Sequence, residues 1–122
     1  LEVVRENIVD LGIKNIVLKN KSLYEKVEEK DADLVCLDVP EPWLAIDTAD
    51  SALKSGGFFV SYSPTVPQAT DFVNAILKHD SFVHLKTIDL IEQEWEIDGR
   101  KVRPKSKQII HSGFLSFARK IK

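Results

Sequence analysis

The first candidate for chemistry in this sequence is a carboxylate that follows an apolar run. Asp38 comes directly after Leu34–Leu37, and Pro40 and Pro42 then force the chain into an extended path. Asp38 should therefore stand where a buried strand ends, and in open α/β sheets ligands bind at the carboxyl ends of the strands. This position makes Asp38 a candidate site residue. The structural alternative is that Asp38 caps the strand end and the two prolines only make a turn.

A second side chain is expected near the same edge. Tyr62 ends the apolar run Phe58–Tyr62, the next predicted strand. An amphipathic tyrosine at this point either reaches a ligand or lies half in the core. His111 lies near the start of the last predicted strand beside a Ser-Gly pair, where a polar residue can simply finish a hairpin.

Charge is divided unevenly along the 122 residues. All 19 acidic residues lie within residues 1–98, whereas 8 of the 17 lysines and arginines lie within residues 99–122. The first part carries a net charge of −10, because nine basic residues face 19 acidic ones, and the last part carries +8. This asymmetry predicts a polyanionic partner that meets one face of the protein, the alternative being a solvated, lysine-rich edge. The densest group of cations consists of Arg100, Lys101, Arg103, Lys105 and Lys107.

Composition restricts the class of protein. A chain of 122 residues that is 43% hydrophobic fits one globular domain at most. No long apolar run and no basic-then-apolar leader is present, so neither a membrane span nor secretion is predicted. The single cysteine, Cys36, is expected to be a small core residue of a buried strand, which suits the reducing cytoplasm. Cys36, His79, His84 and His111 have no metal-ligand spacing, so no metal site is predicted.

Local patterns predict the elements that position these side chains. Apolar residues at helical spacing predict helices over residues 2–11, from Pro42 through Leu53, and from the capping pair Thr65 and Gln68 to Leu77. Apolar runs predict strands over residues 15–19, 32–37, 58–62 and 109–118, and one long strand over residues 82–97 with a bulge or bend near residues 87–91. A polar connection over residues 21–30 has room for one or two helical turns, and Asp98-Gly99 marks a turn.

The order of these elements predicts a parallel α/β sheet with an antiparallel pair at its end. The first helix carries an apolar stripe of Val4, Ile8 and Leu11 that needs a sheet to lie on. The strands that would complete such a sheet are missing from the chain. Residues 1–122 are therefore expected to be the C-terminal portion of a larger domain.

Several motifs together carry a resemblance to a known family. They are DVPEPW at residues 38–43, LKSGG at 53–57, SYSPTVPQ at 61–68, EWE at 94–96 and HSGFLSFARK at 111–120. In this combination the whole chain resembles the tRNA (adenine-N1)-methyltransferase family, whose Rossmann-like catalytic domain uses S-adenosylmethionine. The resemblance implies a seven-strand sheet with an antiparallel last strand, a tRNA partner and a homotetramer, for which strand 82–97 is a candidate subunit contact.

The resemblance also implies roles for single residues. Asp38 would accept a hydrogen bond from the exocyclic amine of adenine, orient N1 toward the methyl group and stabilise the cation formed on methylation. Tyr62 would stack on or hydrogen-bond the flipped base, and His111 would lie near the mouth of the active site. The cations from Arg100 to Lys107 would contact RNA phosphates and position the tRNA rather than read its bases.

The chain departs from the family pattern at the cofactor. The glycine-rich loop and the ribose-binding acid of the family lie upstream of Leu1, so the chain alone is expected to be inactive. A Gly-Asp pair that contacts the cofactor adenine in the family is matched here by Lys21-Ser22, so Ser22 offers a hydroxyl in place of a carboxylate. Leu23 and Asp38 are the other expected cofactor contacts. Two alternatives to a tRNA (adenine-N1)-methyltransferase remain. One is a non-catalytic tRNA-binding subunit of such an enzyme, and the other is a Rossmann-like methyltransferase that acts on a small molecule.

Overall fold

A computed structural model of the chain describes residues 1–107 and 111–122. The helices are α1 (Glu2–Asp10), α2 (Ile46–Ala52) and α3 (Val66–Leu77), and a short 3-10 turn over Pro42–Ala45 leads into α2. The strands are β1 (Ala32–Leu37), β2 (Leu53–Ser63), β3 (Phe82–Asp89), β4 (Trp95–Asp98), β5 (Lys101–Pro104) and β6 (Phe114–Lys120). No helix in the described part of the chain is long and apolar enough to cross a membrane.

Four strands form one mixed sheet in the order β1-β2-β6-β3. β1 and β2 run parallel, whereas β6 runs antiparallel to both of its neighbours, β2 and β3. The last strand therefore inserts between two earlier ones. The predicted parallel α/β sheet with an antiparallel pair at its end is confirmed. β4 and β5 pair only with each other and form a separate hairpin.

The core lies between this sheet and one layer of helices. Phe59 of β2 and both Phe72 and Ile76 of α3 are completely buried. The rings of Phe59 and Phe72 meet edge to face with centroids 5.2 Å apart, and Ile46 of α2 joins the same cluster. Every second side chain of β2 thus faces α2 and α3, as the pleat of a strand requires.

The opposite face of the sheet is left open by the described residues. Leu34 and Phe58, paired across β1 and β2, are 52% and 43% exposed. Arg119 lies over the Phe58 ring, 5.4 Å from its centroid. Cys36, expected in the core, is instead exposed, because β1 is an edge strand whose outer face carries no described helix. The α1 helix buries none of its residues, so its apolar stripe has no partner in the described part of the chain.

The helices begin where the sequence predicts them. Thr65 caps α3, since its hydroxyl accepts a hydrogen bond from the backbone N–H of Gln68, and Pro42 opens the 3-10 turn before α2. The predicted placement of Leu53 on the second helix is wrong, because α2 ends at Ala52 and Leu53 starts β2. Leu77 does not join the apolar face of α3: it is the last helical residue and is 67% exposed.

Three strand predictions are corrected by the structure. Residues 15–19 form no strand, because no described strand lies beside them to accept and donate backbone hydrogen bonds, and residues 21–30 contain a turn but no helix. The long strand is broken between Asp89 and Trp95, and its bulge lies between His84 and Lys86. The last strand begins at Phe114, and the predicted positions 109 and 110 lie outside the described residues.

Candidate active site

Asp38 and Tyr62 stand side by side at the carboxyl edge of the sheet. In the parallel register of β1 and β2, Leu37 lies opposite Ser61, so Asp38 and Tyr62 are the next positions along the two strands. Because side chains alternate along a strand, both are assigned to the open face of the sheet. The Asp38 side chain is exposed and accepts no hydrogen bond from the described part of the chain. Its oxygens are therefore available to a ligand.

Tyr62 is held in place by the segment that precedes β6. Its hydroxyl donates a hydrogen bond to the carbonyl oxygen of Ser112. Its ring fills the space above Gly113, where an added Cβ would stand 2.6 Å from Cζ and 2.8 Å from Oη of the tyrosine. The phenolic proton is thus committed within the chain, so a base would meet the ring face of Tyr62 rather than its O–H.

His111 lies at the same edge and is oriented by three contacts. Its Nδ1 is 3.1 Å from both carboxylate oxygens of Asp89 at the end of β3, and its Nε2 is 3.5 Å from the carbonyl oxygen of Pro64. The ring also packs on Phe114, with centroids 5.0 Å apart. Asp89 was not among the sequence-derived candidates. Its only signal was an acid at the end of a strand, as for Asp38.

Ser22 and Leu23 line a cavity of about 470 Å³ between residues 17–29 and the β1–α2 unit. The hydroxyl of Ser22 accepts a hydrogen bond from the backbone N–H of Tyr24, at 3.2 Å, which leaves its own hydrogen available as a donor. Leu37 of β1 and Ala45 of the 3-10 turn contribute apolar wall to the cavity. Asp38 does not line the cavity, so two of the three predicted cofactor contacts share it and the third lies apart.

One wall of the cavity is charged. Lys19 and Glu29 both line it and form an ion pair. The hydrogen bond from Lys19 holds the pKa of the Glu29 carboxyl below its ordinary value, and the same bond raises the pKa of Lys19. Both groups therefore carry their charge at neutral pH.

The predicted basic loop is one strand of a hairpin whose other strand is acidic. Arg103 lies opposite Glu96, and its Nε donates a 2.9 Å hydrogen bond to that carboxylate. Lys105 pairs with Glu94, and the hydrogen bond between them raises the pKa of Lys105. Two of the five cations are thus already paired within the protein. The remaining three have no ion pair in the described part of the chain: Arg100, Lys101 and Lys107.

The hairpin has a second, apolar face. Trp95, Ile97 and Val102 alternate with the charged residues and are 54%, 76% and 55% exposed. Gly99 turns the chain with φ of +57°, a conformation that favours glycine, at the Asp98-Gly99 turn the sequence predicts. One face of the hairpin is therefore charged and the other apolar.

The other cations of the C-terminal segment lie elsewhere. β6 runs antiparallel to β2, so its last residues, including Arg119 and Lys120, lie at the opposite edge of the sheet from Tyr62. Lys120 forms a 3.0 Å ion pair with Asp50 and donates to the carbonyl oxygen of Leu53 at 2.9 Å. The cations of the C-terminal segment therefore do not all lie on one face. A polyanionic partner that meets one face of the protein stays a prediction.

No group of three or more metal-ligating side chains occurs within residues 1–107 and 111–122. The other two histidines are in local contacts, His79 with Asp47 at 3.3 Å and His84 with Thr87 at 3.0 Å.

Known proteins are similar to this chain in sequence and in fold. The model of a family described as tRNA methyltransferase complex GCD14 subunit matches residues 4–112. The tRNA (adenine(57)-N(1)/adenine(58)-N(1))-methyltransferase TrmI of Methanocaldococcus jannaschii is 37% identical over 112 residues, which cover 91% of this chain and 39% of that protein. The tRNA (adenine(58)-N(1))-methyltransferase TrmI of Thermus thermophilus is 34% identical over 97 residues, which cover 80% of this chain and 38% of that protein. The chain thus spans less than half the length of these curated relatives.

Two solved structures are similar in fold. A SAM-dependent O-methyltransferase from Thermotoga maritima superposes with a TM-score of 0.91 at 27% identity, covering 99% of this chain and 46% of that chain. The tRNA (m1A58) methyltransferase TrmI from Aquifex aeolicus superposes with a TM-score of 0.86 at 20% identity, covering 99% of this chain and 49% of that chain. The predicted Rossmann-like methyltransferase fold is confirmed by these likenesses.

Proposed function

The chain belongs to the family of the tRNA methyltransferase complex GCD14 subunit, and on this premise we propose that it forms part of an enzyme that methylates N1 of an adenine in the tRNA T-loop. The observation that carries the proposal is the pair Asp38 and Tyr62, at one level on neighbouring parallel strands. This is the edge where open α/β sheets bind their ligands.

Asp38 is the proposed catalytic residue. A carboxylate near the exocyclic amine of adenine accepts a hydrogen bond from it, directs N1 toward the methyl donor and stabilises the positive charge that develops on the base. The exposed Asp38 side chain, which accepts no hydrogen bond from the described residues, suits this role.

Tyr62 and His111 are proposed to receive the base. Tyr62 offers its ring to a flipped adenine, since its proton is used by Ser112. His111 stands beyond it and is held by Asp89, so it forms a fixed wall of the site rather than a mobile group. Stacking of a base on an aromatic ring is worth about 1–3 kcal/mol.

The proposed cofactor is S-adenosylmethionine, which supplies an electrophilic methyl group when bound. The cavity beside Ser22 and Leu23 fits an adenine ring, because its Leu37 and Ala45 walls are apolar and the Ser22 hydroxyl can donate a hydrogen bond. Asp38 is the third proposed contact and approaches from the end of β1, outside the cavity.

The hairpin is proposed to contact tRNA through its charged face. Arg100, Lys101 and Lys107 are the strongest candidates, because an unpaired cation can neutralise a phosphate at no cost to an internal ion pair. Arg103 and Lys105 would have to leave Glu96 and Glu94 to do so.

Assembly and location extend the proposal. The exposed Leu34 and Phe58 on the open sheet face support the idea that residues 1–122 form the C-terminal portion of one catalytic domain.

The apolar face of the hairpin supports a homotetramer in which the hairpin is a subunit contact. The hairpin includes the end of the predicted strand 82–97. The exposed, free thiol of Cys36 is compatible with the cytoplasm as the place of action.

The test is methyl transfer by the intact protein. It is incubated with tRNA and radiolabelled S-adenosylmethionine, and the tRNA is then digested to nucleosides. The proposal predicts label in N1-methyladenosine, and no label when the T-loop adenines are replaced by guanine. Label in a small molecule and none in tRNA would overturn the RNA substrate.

One observation favours a second candidate, a non-catalytic tRNA-binding subunit. Ser22 stands where the family resemblance places a cofactor-binding carboxylate, and its hydroxyl already accepts a hydrogen bond from Tyr24. If the intact protein retained tRNA without binding S-adenosylmethionine or transferring a methyl group, this candidate would replace the enzyme.

A further inference from the structure

We propose that Gln68 and Tyr24 are positioning residues that clamp the Asp38 loop, defined as residues 38–41, at two points of its backbone. The inference rests on the proposed function for the role of Asp38 itself. It assigns to each residue one hydrogen bond with the backbone of this loop.

Gln68 holds the loop from the side of α3. Its Nε2 donates to the carbonyl oxygen of Pro40 at 3.0 Å, across 28 positions of sequence. Its Oε1 accepts a 2.7 Å hydrogen bond from the hydroxyl of Thr65, the N-cap of α3. Since Thr65 occupies the amide oxygen, the amide nitrogen faces the loop. A residue that the sequence marks only as a helix cap therefore also anchors the segment after β1.

Tyr24 holds the loop at a second point. The backbone N–H of Glu41 donates to the Tyr24 hydroxyl oxygen at 3.2 Å. Pro40 and Pro42 have no N–H, so Glu41 carries the only backbone donor between residues 40 and 42. Tyr24 in turn is fixed by the Ser22 hydroxyl, which accepts from its backbone N–H. The proposed cofactor contact Ser22 and the proposed catalytic loop are thus joined through one side chain.

Asp38 depends on this clamp because it has no anchor of its own. Its side chain is exposed and accepts no hydrogen bond from the described residues, so the backbone of the loop sets where the carboxylate lies. A misplacement of about 1 Å at a reacting group lowers a rate by roughly a hundredfold. Loosening the loop should therefore reduce turnover without removing any group that touches the substrate.

Two conservative variants of the intact protein test the clamp. Gln68→Glu keeps the shape of the side chain and an oxygen that can accept from Thr65 at the start of α3. It removes the N–H group that donates to the carbonyl oxygen of Pro40. Tyr24→Phe removes only the hydroxyl oxygen. Each variant is expected to lower kcat for tRNA methylation by about tenfold or more, with KM for both substrates and the melting temperature unchanged. Asn74→Asp, the same amide-to-carboxylate change at an exposed position of α3, is the matched control and should retain wild-type kcat.

A positioning role predicts that the effect passes through Asp38. In an Asp38→Asn background, Gln68→Glu and Tyr24→Phe should lower the residual rate no further, because the group they position has lost its charge. Full additivity with Asp38→Asn, or an unchanged kcat in both single variants, would overturn the inference.

A readout independent of activity separates this inference from the proposed function. Amide hydrogen exchange at Glu41 should become several-fold faster in Tyr24→Phe and in Gln68→Glu than in the wild type. Unchanged exchange overturns the clamp whether or not the protein is active. A wild type that transfers no methyl group would overturn the proposed function, and exchange at Glu41 would then decide the clamp alone.

Discussion

At the scale of single residues, Tyr62 and Gly113 are packed so closely that each limits what the other position can hold. The tyrosine ring occupies the volume that any side chain at Gly113 would need. The need for glycine here comes from close approach rather than from backbone conformation, since Gly113 is not among the residues with positive φ. This contact fixes both the aromatic ring and the segment that carries His111.

Gly113→Ala is therefore expected to destabilise the protein. The added methyl group must displace the Tyr62 ring or the 111–113 segment, at a cost of about 1–3 kcal/mol. Urea unfolding of the intact protein measures this cost. Ser112→Ala is the control, because Ser112 engages Tyr62 through its backbone carbonyl and not through its side chain. Equal stabilities of the two variants would show that the ring is free to move.

Single residues differ in how far the sequence predicts them. Asp38 could be located because an apolar run, an acid and two prolines are adjacent in the sequence and together mark the end of a strand. The pairing of His111 with Asp89 could not be predicted from the sequence. The two residues are 22 positions apart, and only the antiparallel register of β3 and β6 brings them together. The clamp by Gln68 and Tyr24 depends on tertiary packing in the same way.

At the scale of elements, the hairpin of β4 and β5 combines two surfaces. Its charged face pairs Arg103 with Glu96 and Lys105 with Glu94, and its apolar face is exposed. A two-stranded hairpin alone is marginally stable in water. Its cross-strand ion pairs therefore help to keep the hairpin ordered, and the proposed contact with tRNA or a second subunit would stabilise it further.

The salt dependence of tRNA binding should distinguish the two kinds of cation. Replacing both Arg100 and Lys101 with glutamine is expected to reduce the slope of log K against log salt by about 1.4–1.8, since each lost phosphate contact removes roughly 0.7–0.9. Replacing both Arg103 and Lys105 is the matched control. It should change the slope less, because these side chains already pair with glutamates. A larger effect of the control pair would mean that the internal ion pairs open on the RNA.

Elements defined by local signals were predicted well, and those defined by partners were not. The start of α3 follows from its capping pair Thr65 and Gln68, and β1 follows from its apolar run. Residues 15–19 have a strand-like pattern, yet a strand needs a neighbour, and the structure pairs them with none of the described strands. The break between Asp89 and Trp95 likewise depends on where β6 ceases to pair with β3.

At the scale of the whole molecule, two of the exposed apolar surfaces among the described residues lie on strands. One is the open sheet face with Leu34 and Phe58, and the other is the hairpin face with Trp95, Ile97 and Val102. The first lies on the four-stranded sheet itself, whereas the second projects on a separate hairpin. The second is therefore the better placed for contact between subunits.

Charging the hairpin face should break the assembly. Ile97→Lys is expected to convert the proposed tetramer of the intact protein into smaller species, because an ammonium would have to be buried in an apolar contact. Light scattering coupled to size exclusion measures the mass. Leu77→Lys, at a position 67% exposed on α3, is the control and should leave the mass unchanged. A tetramer that survives Ile97→Lys would place the subunit contact elsewhere.

The proposal that Asp38 acts on the base is tested by the rate of tRNA methylation by the intact Asp38→Asn protein. The substitution keeps the shape of the side chain and removes its charge. Asp38→Asn is predicted to lower kcat by roughly a hundredfold or more. The matched control is Asp71→Asn, the same change at an exposed acid on α3, which should retain the wild-type kcat. The melting temperature of Asp38→Asn should be unchanged, because Asp38 accepts no hydrogen bond from the described residues. If Asp38→Asn formed N1-methyladenosine at the wild-type rate, the Asp38 carboxylate would not be the group that acts on the base.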